Sequence, residues 1–161
     1  ITHLEMSLLN ALTKTKMVHV PYKGSAPSIV GLLTGEVHVL FSSIPAALGQ
    51  IKANKMRAIA VSTKGRSSAM PDVPTVDESG VPGYDAASWY FVLAPAKTPK
   101  DIVNRLSRTI VKIVSSPEIK STLIKDGFEP AGYTPEASAK FLQDELKKWA
   151  DAIRISGIKP E

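Results

Sequence analysis

Residues 17–27 read MVHVPYKGSAP, and the choice of fold turns on this stretch. Met17, Val18, His19 and Val20 form a short, Val-rich run that suits a buried strand. Pro21 has no N–H to give a sheet ladder, so it ends the strand. Gly24 permits a turn that a residue with a Cβ resists. Ser25 can cap a following helix, and Pro27 is tolerated in its first turn. A strand that opens into a helix N-terminus leaves backbone N–H groups facing a crevice. That arrangement holds a small anion.

Upstream, Thr2-His3-Leu4-Glu5 has the form of a capping box, with Thr2 as the cap and Glu5 reaching back. Leu4, Leu8, Leu9 and Leu12 continue it as one helical stripe. Downstream, Ile29, Val30, Leu32 and Leu33 form a second helix that stops at Gly35. Val37–Phe41 reads as the next strand, and Ile44-Pro45 opens a helix to about residue 53. Asn54 follows it, a residue that accepts the left-handed conformation. Arg57–Thr63 is a third strand. Repeated strand–helix–strand units predict a parallel sheet with right-handed crossovers.

Residues 72–83, with two prolines and two glycines, read as a linker around a short helical turn at 75–79. Residues 86–94 form a long apolar strand. Thr98-Pro99, Ser116-Pro117 and Thr134-Pro135 each announce a helix. Gly127 ends the second of these, and residues 128–131 form a short edge strand. The predicted packing stripes are Ile102, Val103, Leu106, Ile110 and Ile113 in one helix, and Leu142, Leu146, Trp149 and Ile153 in the last. Lys140, Lys147, Lys148 and Asp151 fall largely off that last stripe. Trp89 and Tyr90 read as core.

The chain has 161 residues, is 43% hydrophobic and carries a formal charge of +5. That length allows one domain or two small lobes. No apolar run approaches the roughly 18 residues that span a bilayer. With no cysteine and three scattered histidines, the sequence offers no disulfide, no thiolate zinc site and no metal cluster. The lysines are spread along helices instead of gathered with aromatics, which argues against nucleic acid. No nucleophile elbow, phosphate-binding glycine loop or metal-ligand spacing appears, so no enzyme activity and no cofactor are expected.

Three ordered segments carry a resemblance: VPYKGSAPSIVGLLTGEVHVLFSSIPAALGQIKANKMRAIAVST at 20–63, MPDVPTVDESGVPGYDAASWYFVLAPAKTPKDIVNRL at 70–106 and GFEPAGYTPEASAKFLQDELKKWADAIRISGIKPE from 127. Together they resemble the tripartite tricarboxylate transporter substrate-binding family, the Bug receptors. The resemblance implies an α/β chain of the type II periplasmic-binding-protein kind. Residues 1–85 would be one nearly complete parallel-sheet lobe, lacking its first strand and loop. Residues 86–161 would be the returning part of the other lobe. It also implies relatives nearly twice as long, so the chain is expected to be a fragment.

The implied function is extracytoplasmic, periplasmic capture of a small organic carboxylate for delivery to membrane permease subunits. An effector-sensing module of the same fold, feeding a regulatory partner, is the alternative. The candidate ligand-binding residues are Thr2, Tyr22, Lys23, Gly24, Ser42 and Ser43. Thr2 starts a helix, where relatives place a ligand-closing loop just before it. Tyr22, Lys23 and Gly24, like Ser42 and Ser43, sit at strand C-terminal ends, where open α/β sheets place ligands. Relatives often carry an acid and an Asn where this chain has Ser42 and Ser43. Serine brings no negative charge for a substrate ammonium, which favours a plain carboxylate. The fragment itself is expected to bind weakly and to cover its helix faces at 102–113 and 142–153 by self-association.

Overall fold

The computed structural model describes residues 1–158. Among these residues there are six helices: α1 (Thr2–Thr13), α2 (Ser25–Leu33), α3 (Ile44–Lys52), α4 (Lys100–Val114), α5 (Pro117–Lys125) and α6 (Pro135–Ser156). Each falls where the apolar spacing and the Pro or Gly punctuation place it. α1 packs against α6, α2 against α3, and α4 against both α5 and α6.

The strands expected at 17–20, 37–41, 57–63, 86–94 and 128–131 form no ladder among the described residues. A strand exists only through a neighbour that takes up its N–H and C=O groups. Segments meet that way around residues 61–62 alone. There Val61 and Thr75 form an isolated parallel bridge. Val61 N–H donates to Pro74 O at 2.9 Å, Val76 N–H to Val61 O at 2.9 Å and Ala86 N–H to Ser62 O at 2.8 Å. Residue 17 is tied by a side chain instead. The Asn10 amide donates to Met17 O at 3.2 Å, and its carbonyl oxygen accepts Met17 N–H at 3.3 Å.

The capping box expected at Thr2–Glu5 does not form. Thr2 is already helical, the cap position is Ile1, and no side chain caps the helix. Packing of α1 on α6 turns Glu5 inward, where it is buried. Burial pushes the Glu5 carboxyl up, against the pull of the α-amino group and Lys148. The same Thr-x-x-Glu pattern does close a box at 75–78. Thr75 Oγ1 accepts Glu78 N–H at 3.0 Å, and Glu78 Oε2 accepts Thr75 N–H at 2.8 Å. Arg66 completes it, with Nε 2.9 Å from Glu78 Oε2.

Ser25 is also helical instead of capping, and Gly24 takes the cap position with φ 104°. Thr134 does cap, its hydroxyl accepting Ala137 N–H at 3.2 Å. Asn54 takes the left-handed conformation, with φ 55°.

Val76, Tyr84 and Ala86 form the core, flanked by Leu8, Leu9, Phe41, Ala60, Val81 and Trp149. Tyr84 is almost wholly buried, and its hydroxyl donates to Glu5 O at 2.8 Å. Burial drives its phenol pKa far upward, with the Glu5 charge adding to the effect.

The buried side of α6 is not the predicted Leu142/Leu146/Trp149/Ile153 stripe, because Leu146 is 64% exposed. It centres on Glu145 and Ala152, the helix's two buried residues. Glu145 Oε2 accepts the indole N–H of Trp89 and that of Trp149, each at 3.0 Å. Lys148 pairs with the other carboxylate oxygen and lies 4.0 Å from Asp85. Lys148 thus belongs to the packed side, contrary to its expected place off the stripe. A stripe read from apolar residues alone skips a carboxylate that is buried because its partners follow it inside.

Two outcomes follow from these contacts. Glu145→Ala strands two indole donors and a lysine, and should lower unfolding stability in urea by roughly 3 kcal/mol. The Thr75 N–H and then Arg66 hold the Glu78 carboxyl below its ordinary value of 4.5. A carboxyl held low in the folded state stabilises above its unfolded pKa, and that contribution fades as pH drops through the folded value. Glu78→Gln should therefore lower the urea midpoint at pH 7, with the difference from wild type closing progressively below pH 4.5.

Candidate functional site

The expected binding residues cluster at the starts of the first three helices. Thr2 lies exposed in the first turn of α1. Next to it, His3 stacks on His19, with ring centroids 3.7 Å apart and planes within 2°. That stack brings the start of α1 beside the segment that leads into Pro21 and Tyr22. Lys23 and Gly24 are exposed ahead of α2, and Gly24 N–H donates back to Tyr22 O at 2.9 Å. Ser42 and Ser43 are half-buried ahead of α3. Ser43 holds the cap position, yet its hydroxyl makes no capping bond.

All three helices thus begin without a side-chain cap. The first-turn N–H groups that a cap would occupy are left to other acceptors, and they carry the positive end of the helix dipole. No carboxylate stands at residues 42–43 to repel an anion. Packing of α2 against α3 keeps the second and third of these starts on neighbouring elements.

Tyr22 is placed differently from a cleft-facing hydroxyl. Its ring lies against α2 at Gly31, where a Cβ on the glycine would come within 2.7 Å of Tyr22 Cζ. The hydroxyl is buried and makes no hydrogen bond. Burial first, and the neighbouring Glu36 second, push the phenol pKa up. Gly31 is what admits the ring, a role its sequence context did not signal. Two surface depressions, one lined by Arg108, Thr109, Lys112 and Ser116 and one by Asn54, Lys55 and Arg57, include none of these site residues.

Sequence reasoning missed the Glu145 cluster, although Glu145 and Trp149 at i, i+4 on one helix are a legible pair. It also took Trp89 and Tyr90 for core, whereas Tyr90 is 79% exposed. Phe128 meets the Tyr90 ring edge-on, with centroids 6.1 Å apart, and leaves most of it open.

Helices whose uncapped starts follow apolar connecting segments are the outline of an α/β solute receptor. Residues 1–158 match the tripartite tricarboxylate transporter family receptor, and the chain belongs to that family. It is 34% identical to BugT of Bordetella pertussis over 157 residues, which is 98% of this chain and 48% of BugT. The structure of Rpa4515 of R. palustris with adipate superposes with a TM-score of 0.92 at 35% identity, covering 99% of this chain and 54% of that one. MatC of Rhodopseudomonas palustris with bound malate gives a TM-score of 0.80 at 28% identity, over 95% of this chain and 53% of MatC. The chain spans about half the length of most of the relatives it matches, BugT among them.

The orphaned hydroxyl gives a direct check on packing. Tyr22→Phe removes a buried group that lacks a partner, and should leave stability unchanged or raise it by up to about 1 kcal/mol in urea unfolding. Gly31→Ala should destabilise, because the rigid phenol ring stands where the new methyl would go.

Proposed function

We propose that this chain is the larger part of the binding apparatus of a periplasmic receptor for a small organic carboxylate, which hands its ligand to tripartite-transporter permease subunits. The observation that carries the proposal is that no acid stands at Ser42 and Ser43, and that the helix starts beside the candidate residues, at α1, α2 and α3, have no side-chain cap, a state that α4 and α5 share. Orphan N–H groups at helix termini favour carboxylates by both hydrogen bonding and dipole. Thr2, Lys23, Gly24, Ser42 and Ser43 line the ligand's position, with Tyr22 backing the α2 start from within. The relatives solved with adipate and malate support the same ligand class.

In this reading residues 1–85 are the second lobe of a type II binding-protein fold. Residues 86–161 return to the first lobe, and closure of the two lobes buries the ligand. Left by itself, the 161-residue chain covers its exposed apolar surface by self-association and binds ligand weakly.

The test is a chimera in which residues 1–161 replace the matching half of Rpa4515. Folding is checked by circular dichroism, and adipate, malate and a diamine are then titrated by calorimetry. A dicarboxylate should bind and the diamine should not. Ser42→Asp should weaken the dicarboxylate at least tenfold by setting a negative charge at the site. A folded chimera that prefers the diamine to both acids would sink the proposal.

A further inference from the structure

Gly127 is buried and left-handed, with φ 90°. Its N–H donates to Ile124 O and the Phe128 N–H donates to Leu123 O, each at 2.9 Å. These two bonds end α5 in a Schellman turn, where glycine carries the positive φ at least strain. The turn lies against the start of α3. A Cβ on Gly127 would come within 2.6 Å of Ile44 Cγ2, 3.1 Å of Pro45 N and 3.3 Å of Ile44 C. Two of those atoms are backbone and cannot yield unless the helix start shifts. Ile44 and Pro45 are the first residues of α3, directly after Ser42 and Ser43.

Two residues beyond Gly127, the Glu129 carboxylate is tied to a turn 61 residues earlier in the chain. It accepts the Ser68 N–H at 2.6 Å and the Ser68 hydroxyl at 3.0 Å. The Ser67 hydroxyl donates to it at 3.3 Å. Ser67 is itself buried, and its hydroxyl accepts the Ala69 N–H at 3.2 Å. Hydrogen bonds to an ionised acceptor are stronger than neutral ones. Residues 127–129 are thus held from two sides, by the end of α5 and by the 67–69 turn.

We propose that Gly127 and Glu129 are positioning residues of the carboxylate site, acting through the first turn of α3. The inference rests on the receptor reading above and names what holds one part of that site in place. No side chain caps α3, so its first turn takes its support from outside. Gly127 lets backbone press on Ile44 and Pro45, and Glu129 keeps that backbone there. An acid held by the α3 amides depends on their exact placement, because a hydrogen bond weakens steeply with angle and distance. Neither residue touches the ligand.

The experiment uses the chimera with Rpa4515 described above, titrated with adipate by calorimetry and followed by amide NMR. Circular dichroism checks that each variant folds. Glu129→Ala should weaken adipate about fivefold, and Gly127→Ala about tenfold, by displacing the α3 start. Glu129→Gln keeps an acceptor for the Ser68 N–H and should recover most of the affinity. Thr134→Ala breaks the α6 cap, a bond that involves neither α3 nor the 67–69 turn. It should lower stability and leave adipate binding as it was. The amide signals of Ser43, Ile44 and Ala46 should shift in Glu129→Ala and stay in place in Thr134→Ala. Unmoved α3 signals or unchanged adipate affinity in Glu129→Ala overturn the inference while the receptor reading stands. So does an equal loss of affinity in Thr134→Ala. A folded wild-type chimera that prefers the diamine sinks the receptor reading and this inference with it.

Discussion

A carboxylate almost shut off from water, on Glu145, collects the Trp149 indole N–H and Lys148 from its own helix and the Trp89 indole N–H from 56 residues away. A buried charge with fewer partners would be expelled or neutralised. With them it becomes a junction. It fixes α6 to the segment that leaves the core at Ala86, and through Trp149 to the Val76, Tyr84 and Ala86 cluster. Because α6 also lies along α1, the same junction turns Glu5 inward and sets the Tyr84 hydroxyl on its carbonyl. The two ends of the chain are thereby held against its middle.

The rest of the architecture follows from what backbone groups can find. Helices satisfy their own N–H and C=O groups, and all six form. Strands need neighbours, and among the described residues only 61–62, 74–76 and 86 exchange bonds in that way. The apolar segments elsewhere keep the composition of sheet strands without the ladder. Their valines, leucine and tyrosine stand largely exposed.

The candidate site has the same logic on a smaller scale. α1, α2 and α3 each open without a side-chain cap, although Thr2, Ser25 and Ser43 stand at or beside the cap positions. Thr2 and Ser25 sit one residue too far into their helices, and Ser43 turns its hydroxyl elsewhere. Side-chain caps form at Thr75 and Thr134, while α4 and α5 begin without one, as the first three helices do. The missing bonds at the first three helices leave amides free for an acid, the chemistry on which the receptor reading depends.

Helix positions, the turn residues Gly24 and Asn54 and the receptor family were legible in the sequence, because they depend on neighbours a few residues away or on ordered motifs along the chain. The capping box showed why local pattern is not enough. Thr-x-x-Glu occurs at 2–5 and at 75–78, and only the second closes, since packing against α6 claims Glu5 for the interior. The burial of Glu145 and Lys148, the pocketing of Tyr22 over Gly31 and the exposure of Tyr90 were decided by tertiary structure. The burial of Glu145 depends on Trp89, 56 residues away, and the Tyr22 ring depends on how the chain turns back onto α2, and helical or strand spacing encodes neither.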